Sequence, residues 1–495
     1  MLKKIHLKNF QAFGGETAIP LAPLTLIFGP NSSGKSAIMK SLLFVKQSLG
    51  EAGGTPAFIS SDVDLGSFTN TVYKHDDNLE ITIGFEFDQS NDSINFSIDS
   101  SGKFSKLTVS GDAIDGVSES SKSSSPLPYQ VSLTRTENNI YLFDKLSGRS
   151  LRHLALASLL NTRALHQVTS KPLKLNKDFS TDVTVSASNT DPEVSSLATD
   201  IPTMSFRFSN SRISRIRDLD GKKNKFEQSI YETFAIERIL NRPLERARSF
   251  LANVYHLGGL RAVPDRYEIL GNTSSSLGSD ASNLASFLSN RSRLVREISK
   301  WLTQFTDGAY GLELVKLQRD ERIHTDLNAL ILVDKRSKIT TSFRDVGLGL
   351  SQVLPIITRL VQLSQTTRNL KGQLTSHRKV SNRSGRPLLL VEQPELHLHP
   401  RMQLQLAELF AKASAAGNED GPQLVVETHS ESLILRIQKL IREGQLKSDS
   451  VSVLYVDRDK RTGKSRVNSL PLAENGEFLA AWPEEFADLR LEEFF

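Results

Sequence analysis

The 495-residue chain contains no cysteine. That excludes disulfides, thiolate metal sites and cysteine nucleophiles, and it suits a reducing compartment. Long apolar runs are missing as well: none approaches the roughly 18 residues that a membrane-spanning helix requires. The N-terminus, MLKKIHLKNF, alternates lysine with apolar residues like an amphipathic strand and lacks the continuous apolar core of a signal peptide. A cytoplasmic protein with no membrane role of its own is therefore expected. The chain also lacks a dominant charge. Lys plus Arg number 61 against 56 acids, and a net charge of +5 is too thin to mark a nucleic-acid binder by itself. Hydrophobic residues make up 38% of the sequence, enough for a substantial core in two or three domain-sized units.

The organisation is clearest at the two ends. Residues 2–29 read as short strands closing on LTLIFG, an apolar strand of the kind buried in a parallel sheet. A helix comes next, from Ala37 to about Leu49, with Ile38, Leu42, Val45 and Leu49 at helical spacing. Between 80 and 145, stretches such as LEITIGFEF and INFSIDS predict an antiparallel sheet, separated by the Ser-rich SESSKSSSPLP. Residues 146–225 show no readable period, and helices are expected over 226–255, interrupted at Pro243, and over 281–306. From 340 onward the alternation is regular: helix 352–365, strand 387–392, helix 401–416, strand 423–428, helix 431–443, strand 451–457. Such alternation means a parallel sheet with right-handed crossovers. The expected fold is α/β, with its sheet assembled from both chain ends, an antiparallel β lobe and a largely helical inserted region. The corresponding segments are 1–90, 91–255, 256–340 and 341–495.

GPNSSGKS, residues 29–36, fits the G-x-x-x-x-G-K-[ST] pattern between a strand and a helix. In such a loop the backbone of Gly29, Pro30, Asn31, Ser32, Ser33 and Gly34 curls around phosphate oxygens. Lys35 reaches the β and γ phosphates, and the Ser36 hydroxyl ligates magnesium. ATP and Mg2+ are thus the expected ligands.

The strand PLLLVE delivers Glu392 to the carboxyl end of the sheet, where ligands sit in open α/β folds and where its carboxylate can hold a magnesium-bound water. The next position normally carries an acid that deprotonates the attacking water. Here it is Gln393, which can hydrogen-bond that water but cannot take its proton. Glu395 is the nearby acid able to stand in. One strand later, LVVETHSES places His429 at another carboxyl end, able to donate to the γ-phosphate, with Ser430 as N-cap of the next helix. His397 and His399 form an H-x-H pair, but no further ligand lies at usable spacing, so a loop role is expected over zinc.

DVGLGLSQVLPII, residues 345–357, is a second glycine turn before a helix. Pro355 sits most comfortably in a first turn, which predicts a helix start near Ser351 or Gln352. A second anion-seeking helix N-terminus with no lysine of its own suggests contact with the nucleotide of another copy.

Together, LKNFQAFGG, PLTLIFGPNSSGKSAIMKSLL, YHLGGLRAVPDRY, DVGLGLSQVLPI, VEQPELHLHP, ETHSESLILR and WPEEFADLRLEEFF resemble the ABC-type AAA ATPases related to the OLD proteins. The resemblance implies a P-loop ATPase head that pairs head to tail around ATP. It implies that Gly347, Gly349 and Ser351 form a divergent signature motif, that His397 to His399 form the D-loop, and that His429 is the switch histidine. DLGSFTNTVYKHD, residues 64–76, is the candidate Q-loop. Relatives of this group often carry an amide at the position of Gln393, which implies slow hydrolysis. They resemble sensor subunits of anti-phage systems such as PARIS and Septu, which implies a homodimer or larger assembly controlling a separate, nuclease-like effector.

Two rival readings remain open. OLD proteins are nucleases through a fused domain, and YVDRD with Asp457 and Asp459 superficially resembles its paired acids, though a hairpin turn is the plainer reading and too few residues come after it to complete such a domain. Direct DNA handling would use the basic stretches 212–225 and 368–386, the latter including Arg378, Lys379, Arg383 and Arg386. The acidic, aromatic tail 474–495 reads as a docking segment or as a cap on its own sheet.

Overall fold

The computed structural model describes residues 1–50, 56–88, 92–111, 129–135, 141–147, 184–185, 243–269, 276–320, 323–374, 386–418 and 421–481. Expectations for the rest lie outside the described residues: nearly all of 146–225, the basic stretch 212–225, most of 368–386 and the tail beyond 481.

The chain divides into two compact units. The first comprises Met1–Ile19 and Lys40–Ala252. Its strands are β1 (Leu2–Lys8), β2 (Thr17–Pro20), β4 (Ile81–Phe87), β5 (Ser93–Ile98), β6 (Phe104–Gly111), β7 (Tyr129–Arg135), β8 (Tyr141–Ser147) and β9 (Thr184–Val185). They form one eight-stranded sheet in the order β2-β1-β4-β5-β6-β7-β8-β9. Pairing from β1 through β9 is antiparallel throughout. The period-2 pattern seen in the sequence has its physical counterpart here: Ile81, Ile83, Phe85 and Phe87 alternate onto one buried face, met by Ile94, Phe96 and Ile98.

The second unit comprises Pro20–Met39 and Asn253–Phe495. Its main strands are β3 (Leu24–Phe28), β10 (Val254–Leu257), β15 (Leu388–Glu392), β16 (Gln423–Glu427), β17 (Val451–Arg458) and β18 (Ser465–Ser469). They form a sheet in the order β10-β15-β16-β3-β17-β18. The first five run parallel and β18 closes the edge antiparallel. Every residue of β3 and β16 is buried, as expected of strands covered on both faces. A second sheet pairs β12 (Tyr310–Asp320) with β13 (Ile323–Asp334), which also holds β11 (Glu268–Ile269) and β14 (Thr340–Ser342). Helices α1 (Lys35–Gly50), α2 (Phe68–Thr71), α3 (Leu284–Leu288), α4 (Ser292–Phe305), α5 (Leu348–Leu374), α6 (Pro400–Ala413) and α7 (Glu431–Arg442) complete the described elements, with a further helical stretch at 243–251. Helix α1 begins in the second unit and ends in the first.

Three expectations need correction. The helix expected to run to 255 ends earlier, because Val254–Leu257 pairs in parallel with Leu388–Val391 as an edge strand. The 281–306 helix is two: Ser289 donates its hydroxyl to the Ser286 carbonyl and Arg291 donates its N–H to the Leu288 carbonyl, turning the chain between α3 and α4. Helix α5 starts at Leu348, so Pro355 lies two turns inside it and leaves the Ser351 carbonyl without a helical partner from residue 355.

Candidate functional site

The loop after β3 is closed by steric necessity. Gly29 has φ 143, and a Cβ there would come 2.0 Å from the Val456 carbonyl oxygen of β17. Ser32 and Gly34 also take positive φ, 61 and 105. Neighbouring backbone conformations of this kind turn successive N–H groups toward one concavity, the geometry that binds anions. Lys35 is 4% exposed and curls back over the loop, its Nζ donating to the carbonyls of Gly29 at 3.0 Å and Pro30 at 2.8 Å. On the far side Ser465 of β18 donates its hydroxyl to the Ser33 carbonyl, a brace that sequence alone did not reveal.

Three carboxylates converge beside this loop. Glu392 and Glu427 stand opposite one another in the β15–β16 register, and β16 is the immediate neighbour of β3. Glu427 is 4% exposed and accepts the Ser36 hydroxyl through both oxygens, at 2.9 and 3.1 Å. Glu427 is the site residue that sequence reasoning missed. Its signal was an acid ending the otherwise apolar run of β16, two residues before His429. Glu392, in contrast, meets His256 Nε2 through Oε1 at 3.1 Å. Glu395 accepts the Thr428 hydroxyl at 2.8 Å and the His429 backbone N–H at 2.6 Å. It therefore holds the turn that presents the histidine.

Backbone strain gathers at the same place. Gln393 has φ 40 and His397 φ 61, both in the left-handed region unfavourable to ordinary side chains. The Gln393 N–H donates to the Glu427 carbonyl at 2.8 Å, which fixes the strained turn to β16. His399 caps α6, its Nδ1 accepting the Arg401 N–H at 3.3 Å, a loop role.

Burial governs the electrostatics. It pushes the Lys35 ammonium down from its ordinary range, against the pull of Glu427 and then Glu395. It pushes Glu427 up, a shift opposed by the Ser36 hydroxyl, reinforced by Glu392 and countered by Lys35. Glu395 also moves up by burial, and the donors from His429, its own backbone and Thr428 pull back. His429 moves down, by burial and by the charge of Lys35, both of which favour the neutral imidazole. Arg261, 4% exposed, falls to about 10 by burial while Glu395 and Glu392 hold it up, so it keeps its charge at neutral pH.

The second glycine turn is built differently. A Cβ at Gly347 would meet nothing within 4 Å, and Leu348 is 49% exposed. Gly349 is tight: its Cβ would lie 3.0 Å from the His397 carbonyl oxygen. Because α5 starts at Leu348, Gly349 and Ser351 lie within its first turn, not ahead of it. Ser351 is fully buried and donates its hydroxyl to the Leu348 carbonyl at 2.6 Å, so the face it was expected to share with Gly347 and Gly349 presents those glycines alone.

The remaining candidates fall elsewhere. Residues 64–76 lie in the first unit, around α2. Asp459 accepts the Thr462 and Arg461 N–H groups and pairs with Arg466, the bonding of a β17–β18 hairpin turn. Arg386 donates to the Gly421 carbonyl at 3.1 Å, whereas Arg378, Lys379 and Arg383 lie outside the described residues. No described helix is long and apolar enough to cross a membrane.

The donor set suits a magnesium nucleotide: a curled backbone for phosphate, one buried ammonium, and a hydroxyl and carboxylates, all of them hard oxygen ligands, for the cation. A stretch of 44 residues is 54% identical to the chromosome partition protein Smc of a Synechocystis species and 52% identical to that of a Synechococcus species. That stretch is 9% of this chain and 4% of each relative, so the chain matches only a small part of their length. Solved Smc heads align along nearly the whole chain. The Smc head domain from Thermotoga maritima aligns with 95% of this chain and 99% of its own at 10% identity and a TM-score of 0.38. That from Pyrococcus furiosus, with an extended coiled coil and bound to the C-terminal domain of ScpA, covers 99% and 98% at 14% identity and 0.38. The AAA_15 family, the AAA ATPase domain, matches residues 1–434. The chain belongs to that family of ATPase domains, and its phosphate loop lies inside the matched stretch.

Proposed function

We propose that this protein is a slow ATPase whose two copies close head to tail around ATP, and that this closure controls a separate effector protein. The contrast between the two glycine turns carries the reading. One wraps a buried lysine, and the other exposes Gly347 and Leu348 at a helix N-terminus whose own loop, DVGLGLS, carries no lysine. A helix start with free N–H groups favours an anion, and the nearest suitable anion is a phosphate held in the loop of a second copy.

In this reading the backbone from Gly29 to Gly34 orients the phosphates, and Lys35 lies against the β and γ positions. Magnesium, held by Ser36 with Glu427 and Glu392, would supply charge that neutralises the phosphates. Gln393 orients a water by hydrogen bonding. His429 donates a hydrogen bond at the γ position. Positioned general bases contribute about 10²- to 10⁴-fold, so an amide at 393 makes turnover slow. Glu395 supplies the stand-in base only by giving up hold on the His429 turn. This competition between two jobs gates hydrolysis.

The chain would work in the cytoplasm as the sensing and scaffolding subunit of an anti-phage system, the chemistry on the target belonging to a nuclease-like partner. Light scattering of the purified chain with and without Mg-ATP tests the core of this. A shift from monomer to dimer on Mg-ATP, absent in Lys35→Ala, is expected. A chain that binds Mg-ATP yet stays monomeric overturns it. Steep, salt-dependent DNA binding in the same preparation would favour the repair reading instead.

A further inference from the structure

The twelve residues after Tyr255, HLGGLRAVPDRY, do more than join β10 to the second sheet. They reach the acid-bearing end of β15 and the start of α5. His256 Nε2 lies 3.1 Å from the Glu392 carboxylate. A Cβ at Gly259 would sit 3.2 Å from the Gln393 amide oxygen, so the backbone here lies flat against that side chain. Arg261 donates a guanidinium N–H to the Glu392 backbone carbonyl and another to the Gln352 carbonyl at 3.4 Å. Its own backbone is clasped in both directions by the Gln352 side chain: N–H to Oε1 at 3.2 Å, and Nε2 to carbonyl at 2.7 Å. Gln352, 5% exposed, directly succeeds Ser351 in the second glycine turn. Further on, Asp265 and Arg266 pair with Arg344 and Asp345 respectively, three and two residues ahead of Gly347.

We propose that Arg261 is a positioning residue through which docking of a second copy on the Gly347–Gly349 turn reaches the acid-bearing end of β15. This rests on the head-to-tail dimer proposed above. In such a pair each chain's turn closes the partner's nucleotide site, whereas its Glu392 and Gln393 serve its own. A rigid link between the two inside one chain therefore couples the two sites. A buried charge is a suitable link. Arg261 bridges helix and strand through fixed donors and cannot shift from one without losing bonds to the other. The exposed Asp265–Arg344 and Arg266–Asp345 pairs add little energy each, but they keep the strap against the turn.

The test uses the full chain and four variants, with ATP affinity, ATP-dependent dimerisation, turnover and the steepness of rate against ATP read for each. Gln352→Ala opens the clasp and Arg261→Gln removes the charge. Both are expected to keep ATP affinity within about threefold while turnover falls about tenfold or more and the Hill coefficient drops from near 2 toward 1. Arg261→Lys restores charge without the forked geometry and is expected to fall between. Arg359→Met controls for mere stability, since Arg359 is a second buried arginine, 2% exposed, on α5; it stacks over Tyr255 and donates to the Leu277 carbonyl and the Gln362 side chain, not to Glu392 or Gln352. It should lower the melting temperature and leave the Hill coefficient of the folded fraction intact. The coupling role is overturned if a dimerising, cooperative wild type yields Arg261→Gln and Gln352→Ala chains with the same turnover and steepness, or if Arg359→Met loses steepness equally. A wild type that binds ATP and never dimerises overturns the head-to-tail reading itself, and the coupling with it.

Discussion

The second unit holds two glycine turns that both lead into helices, yet one is closed in by its own chain and the other lies open. At Gly29–Ser36 the lysine is buried, the serine already has a carboxylate partner, and a side chain on Gly29 would strike the next strand. At Gly347–Ser351 the first glycine faces open space, the serine turns inward, and a leucine stands exposed. A site that completes itself within one chain tolerates change nowhere along its loop. A site that waits for another molecule tolerates change in stability and fails only in assembly. That distinction can be broken by experiment.

The largest effect should come from Lys35→Ala. Losing charge-assisted bonds to two phosphates at about 1.5–3 kcal/mol each predicts at least about 10²-fold weaker ATP binding, measured by calorimetry. Leu348→Arg should act on the other turn, abolishing ATP-dependent dimers in light scattering and cutting turnover, with affinity in the isolated chain within about threefold. If Leu348→Arg weakened ATP binding as Lys35→Ala does, the two turns would not be separate parts.

Glycine substitutions sharpen the comparison in stability. Gly29→Ala combines a left-handed φ with a Cβ 2.0 Å from a backbone oxygen, so strain of about 1–3 kcal/mol plus the clash should lower the melting temperature by several degrees or prevent folding. Gly347→Ala meets nothing and should melt within about a degree of wild type. Gly349→Ala belongs between them, because the His397 carbonyl must give by a few tenths of an ångström. Calorimetric scans of the three chains check the order.

Much of this was legible because the parallel sheet writes its chemistry at strand ends. LTLIFG, LLLVE and QLVVE announce their strands by apolar runs, and the residues at the end of each run line the site. The glycines and Lys35 obey the same logic. The features that escaped notice depended on neighbours distant in sequence. Val254–Leu257 is too short and mixed to declare itself a strand, and only pairing with β15 makes it one. Glu427 looked like the tail of a strand until β16 was seen to lie between β3 and β15, which brings its carboxylate to Ser36 from 391 residues away. Pro355 misled in the opposite sense, since a local rule for helix starts yields to the packing of Val353, Leu354, Ile356 and Ile357, all fully buried. The first unit's alternation gave its sheet but no chemistry, because antiparallel strands do not collect their ends at one edge.

The acids give the next step down in effect. Glu395 holds the His429 turn with both oxygens, so Glu395→Gln keeps one acceptor and loses the other's fit. Turnover should fall about tenfold or more, and more steeply still if the residue also takes the proton. Gln393→Glu should raise turnover if the amide is what limits it. Steady-state phosphate release in both chains, and in the double variant, separates the roles. If Gln393→Glu rescues Glu395→Gln, Glu395 is the stand-in base and the carboxylate introduced at position 393 has replaced it; if the double variant stays slow, the lesion lies in the His429 turn.

The smallest effect is one of pH, and its sign is set by burial. His429 is shifted down from 6.5 because leaving water and facing Lys35 both disfavour the imidazolium. The neutral ring therefore persists to lower pH than in a free histidine. If neutral imidazole is the working form at the γ-phosphate, the acid half-point of turnover should lie below that of an ordinary histidine, about 6.5. His429→Gln, which keeps a donor but cannot titrate, should lose that acid limb while retaining part of the rate. A wild-type half-point at or above about 6.5 would mean that the histidine is better solvated than the completed phosphate site requires. The first turn would then be as open in one chain as the second.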